Sequence, residues 1–211
     1  MKKVVIIGAG PAGLFASYLL LAKGYSVDLY DQKKEPGRKL LLAGKSGLNI
    51  TNTIEPELFI EAYGNHKKEI FPALSKFSPK DLRTWLSSIG IKTLELKWKG
   101  REIQGDLTIT AYGIEGGPIY HFSREIRNSL EQLSKENIIL DLLPDLTEEA
   151  ISSSGGISFT ELDGHFMLKK FPGWFTAGEM IDWDAPTGGY LLQGCFSTAY
   201  MAVEGISKYK N

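Results

Sequence analysis

The chain has 211 residues, 43% of them hydrophobic and 23% charged, with a formal net charge of -1. That length can bury a real core in one large domain, and the ordinary composition is that of a globular protein. A charge so near zero gives no basis for a broad electrostatic hold on nucleic acid or an anionic membrane. Cys195 is the single cysteine, so no internal disulfide can form, which suits a reducing cytoplasm.

Lys2 and Lys3 ahead of an apolar run imitate a secretory signal. The run is broken by Gly8, Gly10, Pro11 and Gly13 before it reaches useful length, and no later stretch is long enough to cross a bilayer. We therefore expect no signal peptide and no membrane partner.

Val4-Val5-Ile6-Ile7 reads as a buried parallel strand, and Gly8-Ala9-Gly10-Pro11-Ala12-Gly13 as the sharp turn that leads from it into a helix. Leu14, Phe15, Tyr18, Leu19 and Ala22 recur at helical spacing, and Gly24 stands where a left-handed cap would end the helix. Val27-Asp28-Leu29-Tyr30-Asp31 is the next strand. GxGxxG alone is a weak signal. Here the strand before it, the helix after it and the acid closing the second strand agree on a dinucleotide site. Backbone N–H groups and the helix dipole hold a diphosphate, and Asp31 with its neighbour Gln32 meets the ribose. A carboxylate there repels a 2′-phosphate, so FAD or NAD fits better than NADP.

Next come a polar turn and a second glycine-rich stretch, Arg38-Lys39-Leu40-Leu41-Leu42-Ala43-Gly44-Lys45-Ser46-Gly47-Leu48-Asn49-Ile50-Thr51-Asn52. Cations, a hydroxyl, glycines and Asn side chains suit a loop against a polyanionic ligand, but the P-loop spacing is absent, and a solvated turn is an equal reading.

With Gly37 in front, this stretch closely resembles the signature of bacterial FAD-dependent flavoproteins of the aminoacetone-oxidase-like, NAD(P)/FAD-dependent oxidoreductase family. Their pattern commonly reads GRKLLxSGGGRCNxTN, and Gly47-Leu48 stand here where that pattern has Arg-Cys. The resemblance implies that Arg38, Lys39, Gly44, Lys45, Ser46, Gly47 and Asn49 run along the pyrophosphate and flavin.

Residues 54–90 read as a helical cover: Ile70, Phe71, Leu74 and Phe77 share one face, Ser78 caps a helix with Pro79 in its first turn, and Leu82, Trp85 and Leu86 form a stripe up to Gly90. From Ile91 to Ile109 the pattern alternates about a turn at Lys99-Gly100-Arg101, the mark of a hairpin or small antiparallel sheet. A further strand, a glycine turn, a helix to about Lys135 and Ile138–Asp145 follow, resembling part of the family's substrate domain, with His121 beside the turn as a surface or capping residue. Short strands are expected at Gly155–Phe159 and Phe166–Leu168, and an apolar strand at Trp174–Ala177.

The last informative segment runs from Gly178-Glu179 through Asp182 to Gly188-Gly189-Tyr190-Leu191, opening a helix. Two glycines at a helix entrance leave N–H groups pointing outward, where the dipole favours the negative charge of a reduced flavin. The family's matching segment closes the FAD site. This implies that Gly178, Glu179 and Asp182 lie at the ribityl or pyrophosphate side, and Gly188, Gly189, Tyr190 and Leu191 at the flavin ring. Cys195 sits within the apolar helix as a small core residue.

Family members are longer; the parts missing here fall near residues 92–105 and 146. The resemblance therefore implies an α/β, Rossmann-like FAD-binding domain of the glutathione-reductase type, discontinuous over 1–91 and 146–211, with a reduced, partly antiparallel substrate-domain remnant at 92–145. The expected activity is an FAD-dependent oxidoreductase. Its flavin would take hydride from NAD(P)H or an amine-like small molecule and pass electrons to an acceptor, with no metal. No catalytic acid or base can be named. The other readings are a non-catalytic FAD-binding module and an NAD-binding Rossmann protein without flavin; a second glycine site at the far end of the chain argues against the latter.

Overall fold

The computed structural model describes residues 2–43, 49–91, 94–98, 101–105, 107–110, 113–116 and 155–209. The expectations for Gly44–Leu48, His121, the helix to Lys135 and the Ile138–Asp145 strand lie outside these residues.

β1 (Lys3–Ile7) and β2 (Ser26–Tyr30) pair in parallel, with Val5 opposite Asp28 and Ile7 opposite Tyr30. α1 (Pro11–Ala22) crosses between them, with Pro11 in its first turn, and ends at Gly24 (φ +81°). Phe15, Ser17 and Leu20 are buried, whereas Tyr18 and Ala22 are exposed. The expected stripe of Leu14, Phe15, Tyr18, Leu19 and Ala22 is thus rotated. α1 is covered from more than one side, so small residues, Ala12, Gly13, Ala16 and Ser17, mark its close contacts and bulk alone misplaces the face.

β1 is not the fully buried strand its composition suggests. Val5 is 57% and Ile7 77% exposed, while Val4 and Ile6 are half-buried. Among the described residues β1 pairs with β2 alone, so its other edge and its odd-numbered face carry no cover.

α2 (Arg38–Ala43) follows the polar turn, and α3 (Pro56–Glu61), α4 (Lys67–Lys76) and α5 (Pro79–Ser88) form the helical cover. Ser78 caps α5 reciprocally: the Asp81 N–H donates to Ser78 Oγ (3.3 Å) and the Ser78 N–H donates to Asp81 Oδ2 (2.9 Å). Ile70, Leu74, Phe77, Leu82 and Leu86 are buried as expected, but Phe71 is 55% exposed and lies off the α4 face.

The alternating region forms two antiparallel hairpins. β3 (Leu94–Trp98) pairs with β4 (Arg101–Gly105), Leu96 opposite Ile103, and β5 (Leu107–Thr110) pairs with β6 (Gly113–Gly116), Ile109 opposite Ile114.

The chain from Gly155 runs mostly without regular structure. Ile157 makes one parallel bridge with Ile181, Leu162 and Leu168 one antiparallel bridge, and Met167 another with Phe175. The three short strands expected here are therefore single bridges; a strand needs a ladder, and no neighbouring strand runs beside Trp174–Ala177 among the described residues. A 3-10 turn at Gly178–Met180 follows.

The long closing helix, α6 (Tyr190–Lys208), is buried along most of its length and packs against both α1 and α4. Phe15 of α1 meets Trp85 (ring centroids 4.7 Å, 64°) and Phe196 (5.1 Å, 82°) edge-on, each such pair adding about 0.5–1.5 kcal/mol beyond its buried area. A second cluster gathers Phe59, Tyr63, Ile70, Leu74, Trp183 and Cys195. α6 is thus the spine to which the first crossing and the helical cover both attach. Among the described residues, no helix is long and apolar enough to cross a membrane.

Candidate functional site

The glycine crossing is held from three directions. The Gly8 N–H donates to the Tyr30 carbonyl (2.7 Å), continuing the β1–β2 ladder, and the Gly37 N–H donates to the Ala9 carbonyl (2.7 Å). Gly13 lies where α1 passes closest to β1. A Cβ there would sit far inside van der Waals contact with the Gly8 carbonyl oxygen and 3.4 Å from Ile6 Cγ2.

Asp31, just beyond β2, turns back on the crossing. Its Oδ2 accepts the Ala9 N–H (2.6 Å) and its Oδ1 accepts the Lys33 N–H (2.7 Å). These backbone donors hold its carboxyl below the ordinary carboxylate range, that from Ala9 contributing most. Each oxygen keeps a second acceptor position, so the ionised, exposed carboxylate can still receive hydroxyl donors.

The far end of the chain comes to the same place. Gly178 approaches the first turn of α1 so closely that a Cβ would lie 2.9 Å from Ala12 Cβ, and its N–H donates to Thr198 Oγ1 (2.9 Å). Gly188 (φ +113°) and Gly189 (φ +91°) are both left-handed, and Gly189 is the N-cap of α6 with no side-chain cap bond. A helix leaves its first N–H groups without intrahelical partners, and Gly189 supplies no side chain to take them.

One cleft of about 2050 Å³ is lined by Gly8–Gly13, Asp31, Gln32, Arg38, Asn49, Gly178, Glu179, Gly188, Gly189 and Leu191. Sites for small molecules and cofactors occupy about 300–1,000 Å³, so this cleft exceeds one ligand. The surplus runs along the open side of β1 toward Lys2, Tyr25, Phe175 and Tyr209.

Two expected residues do not line it. Tyr190 packs its ring on Phe59 (4.8 Å), and its carbonyl accepts the Tyr63 hydroxyl (2.8 Å). Asp182 donates its N–H to the Ile157 carbonyl (2.9 Å), bracing the loop behind the cleft. The side chain of Lys39 and all of Gly44, Lys45, Ser46 and Gly47 lie outside the described residues. Pro186 and Thr187, directly before the glycine pair, and Leu192, in the first turn of α6, also line the cleft; their closeness in sequence to the glycine pair was the available signal.

Cys195 lies at the cleft wall but is buried. Burial, with the Glu179 charge adding to it, pushes its thiol up to about 12, which makes it a packing residue and not a thiolate nucleophile. Among the described residues no group of three or more His, Cys, Asp or Glu could hold a metal ion.

A parallel β–α–β crossing with glycines in its turn, an acid after its second strand and a long helix returning to the same cleft define a Rossmann-type α/β protein. The chain belongs to the HI0933-like protein Rossmann domain family, whose model matches residues 2–102 and 99–205. It is similar to ribosomal RNA dihydrouridine synthase of Escherichia coli K12, 38% identical over 88 residues, which is 41% of this chain and 21% of that protein. It is also similar to the NAD-dependent dihydropyrimidine dehydrogenase subunit PreT of the same organism, 25% identical over 184 residues, covering 77% of this chain and 44% of that one. A 3-dehydro-bile acid delta(4,6)-reductase from Clostridium scindens is 26% identical over 135 residues, 60% of this chain and 32% of the relative. The chain spans less than half the length of each. The dehydrogenase and the reductase are oxidoreductases by name.

Proposed function

We propose that the chain binds FAD and serves as an FAD-dependent oxidoreductase. The observation that supports this most is the single cleft shared by the Gly8–Gly13 crossing and the Gly188–Gly189 helix entrance, which come from opposite ends of the sequence. An extended dinucleotide needs both ends. A simple nucleotide would need one.

The donor set fits such a ligand. Backbone N–H groups at the start of α1 and its dipole would receive the diphosphate, with Gly13 letting α1 pack closely on β1. Asp31, with Gln32 beside it, would accept the ribose hydroxyls and disfavour a 2′-phosphate. Arg38, Lys39, Gly44, Lys45, Ser46, Gly47 and Asn49 would follow the pyrophosphate, and Gly178 and Glu179 the ribityl side. The α6 start at Gly188, Gly189 and Leu191 would lie at the ring, where its dipole favours negative charge. When bound, a flavin supplies the redox chemistry, taking two electrons as hydride from NAD(P)H or an amine-like small molecule and giving them to an acceptor. The protein's part is to bind, orient and polarise.

In this reading residues 1–91 and 146–211 form the FAD-binding domain and 92–145 a reduced substrate-domain remnant, working in the cytoplasm. The chain's short span of its relatives supports a second reading, an FAD-binding module without turnover. Anaerobic addition of NADH or NADPH to the FAD-loaded protein separates them: the enzyme is expected to lose its visible flavin absorbance within seconds. Full absorbance with both nucleotides and with simple amines would leave only the binding module.

A further inference from the structure

Behind the glycine pair lies a set of polar contacts that cofactor binding does not itself require. Thr51 Oγ1 donates to Gln193 Oε1 (2.6 Å), and Asn52 Nδ2 donates to the Gly188 carbonyl (3.2 Å) and to the Tyr190 hydroxyl (3.5 Å). Asn52 Oδ1 accepts the Ile54 N–H (3.0 Å), which orients the amide, and the Asn52 carbonyl accepts Arg83 Nη1 from α5 (3.3 Å). Gln193 is fully buried, and its Nε2 donates to the Phe77 carbonyl (3.0 Å) and to Ser197 Oγ (3.0 Å). Ser197 in turn donates to the same Phe77 carbonyl (2.6 Å). The Thr51 backbone lies so near Gly189 that a Cβ there would come within 2.5 Å of its carbonyl carbon and oxygen.

Two successive glycines are the least determined backbone a chain can have, since each loses the most conformational freedom on ordering. A fixed left-handed pair therefore needs an outside restraint. Thr51, Asn52 and Gln193 supply it: their side chains tie the 51–52 loop, the end of α4 and the first turn of α6 into one partly buried network, and such networks, when satisfied, specify one geometry.

We infer that Thr51, Asn52 and Gln193 are positioning residues that hold the Gly188–Gly189 entrance in its left-handed form before any ligand arrives, keeping the first-turn N–H groups of α6 at the cleft. None of the three need touch the cofactor. The inference rests on the FAD reading above. Its energetic sense is preorganisation: a restrained entrance spares the ligand the ordering cost and presents the dipole in place.

The test uses the whole chain with Thr51→Val and Asn52→Ala, with Thr51→Ser as the conservative control that keeps the hydroxyl. Three quantities are read: FAD affinity, reduction potential of the bound flavin, and amide hydrogen exchange at residues 189–192 in the free protein. Thr51→Val and Asn52→Ala are each expected to weaken FAD binding about tenfold, equivalent to about 1.4 kcal/mol, to move the potential negative and to speed exchange at the entrance. Thr51→Ser should leave all three near the parent values. Unchanged potential and exchange in both variants would overturn the inference, as would equal losses in Thr51→Ser. Should the parent chain take up no FAD, the cofactor reading fails by itself. Exchange at 189–192 then still decides the restraint: faster in the two variants supports it, and unchanged overturns it.

Discussion

Gly13→Val is expected to reduce FAD affinity by a hundredfold or more, equivalent to about 2.7 kcal/mol or greater, while the helical cover keeps its structure. The added Cβ would overlap the Gly8 carbonyl oxygen and crowd the Gly8 carbonyl carbon (3.1 Å) and Ile6 Cγ2 (3.4 Å). The Gly8 backbone cannot yield as a flexible side chain can. α1 must therefore tilt away from β1, and overpacking of this kind costs about 1–3 kcal/mol. The tilt also moves the N–H groups that would face the diphosphate. The core of α4, α5 and α6 is joined elsewhere, through Phe77, Leu82 and Phe196, so circular dichroism should retain the helical signal. Titration with FAD checks the effect, and parental affinity in Gly13→Val would remove the crossing from the site.

Gly189→Ala should lower stability by about 2–4 kcal/mol, the sum of a left-handed non-glycine residue and a backbone overlap. With φ at +91° and the Thr51 carbonyl carbon and oxygen 2.5 Å from the new methyl, neither term can relax alone. For a chain of this size, thermal melting should fall by about 5–15 °C. Gly64→Ala is the control: its φ is also positive (+53°), but nothing lies within 4 Å of a Cβ, so only about 1 kcal/mol is expected there. Equal melting losses in the two variants would show that the Thr51 contact adds nothing. The Gly189→Ala protein should also bind FAD more weakly, because the α6 entrance turns away from the cleft.

The first crossing was legible because several local rules coincide over a short stretch. β-branched residues, glycines at fixed offsets, a helical period and an acid all point to one turn geometry. The Ser78 cap and the β3–β4 hairpin were legible for the same reason, since a capping residue with proline after it and an alternating run each have few structural solutions. What local pattern could not show is what covers an element. Val4–Ile7 has the composition of a strand buried on both faces, yet Val5 and Ile7 stand open, since the described residues place only β2 beside β1. Trp174–Ala177 has the apolar content of a strand and finds one bridge, at Phe175. Strand formation depends on a partner elsewhere in the chain, which periodicity does not report.

The site divides in the same way. Glycines and Asp31 carry their meaning in their own spacing. Tyr190 instead turned inward onto Phe59 and Tyr63, because an aromatic ring at the start of a buried helix gains more from the core than from an open cleft. Thr51 and Gln193 lie far apart in sequence and meet only through the fold. The single hint was a glutamine among the apolar residues of the first turns of α6, which needs a partner when buried.

FAD binding of this kind requires one ligand to reach both glycine-bearing helix starts. Hydrogen exchange of the whole chain with and without FAD measures this directly. Slower exchange is expected at Ala9–Gly13 and at Gly189–Leu192 together, saturating at one FAD per chain. Protection confined to the Ala9–Gly13 end, or none at either, would contradict it.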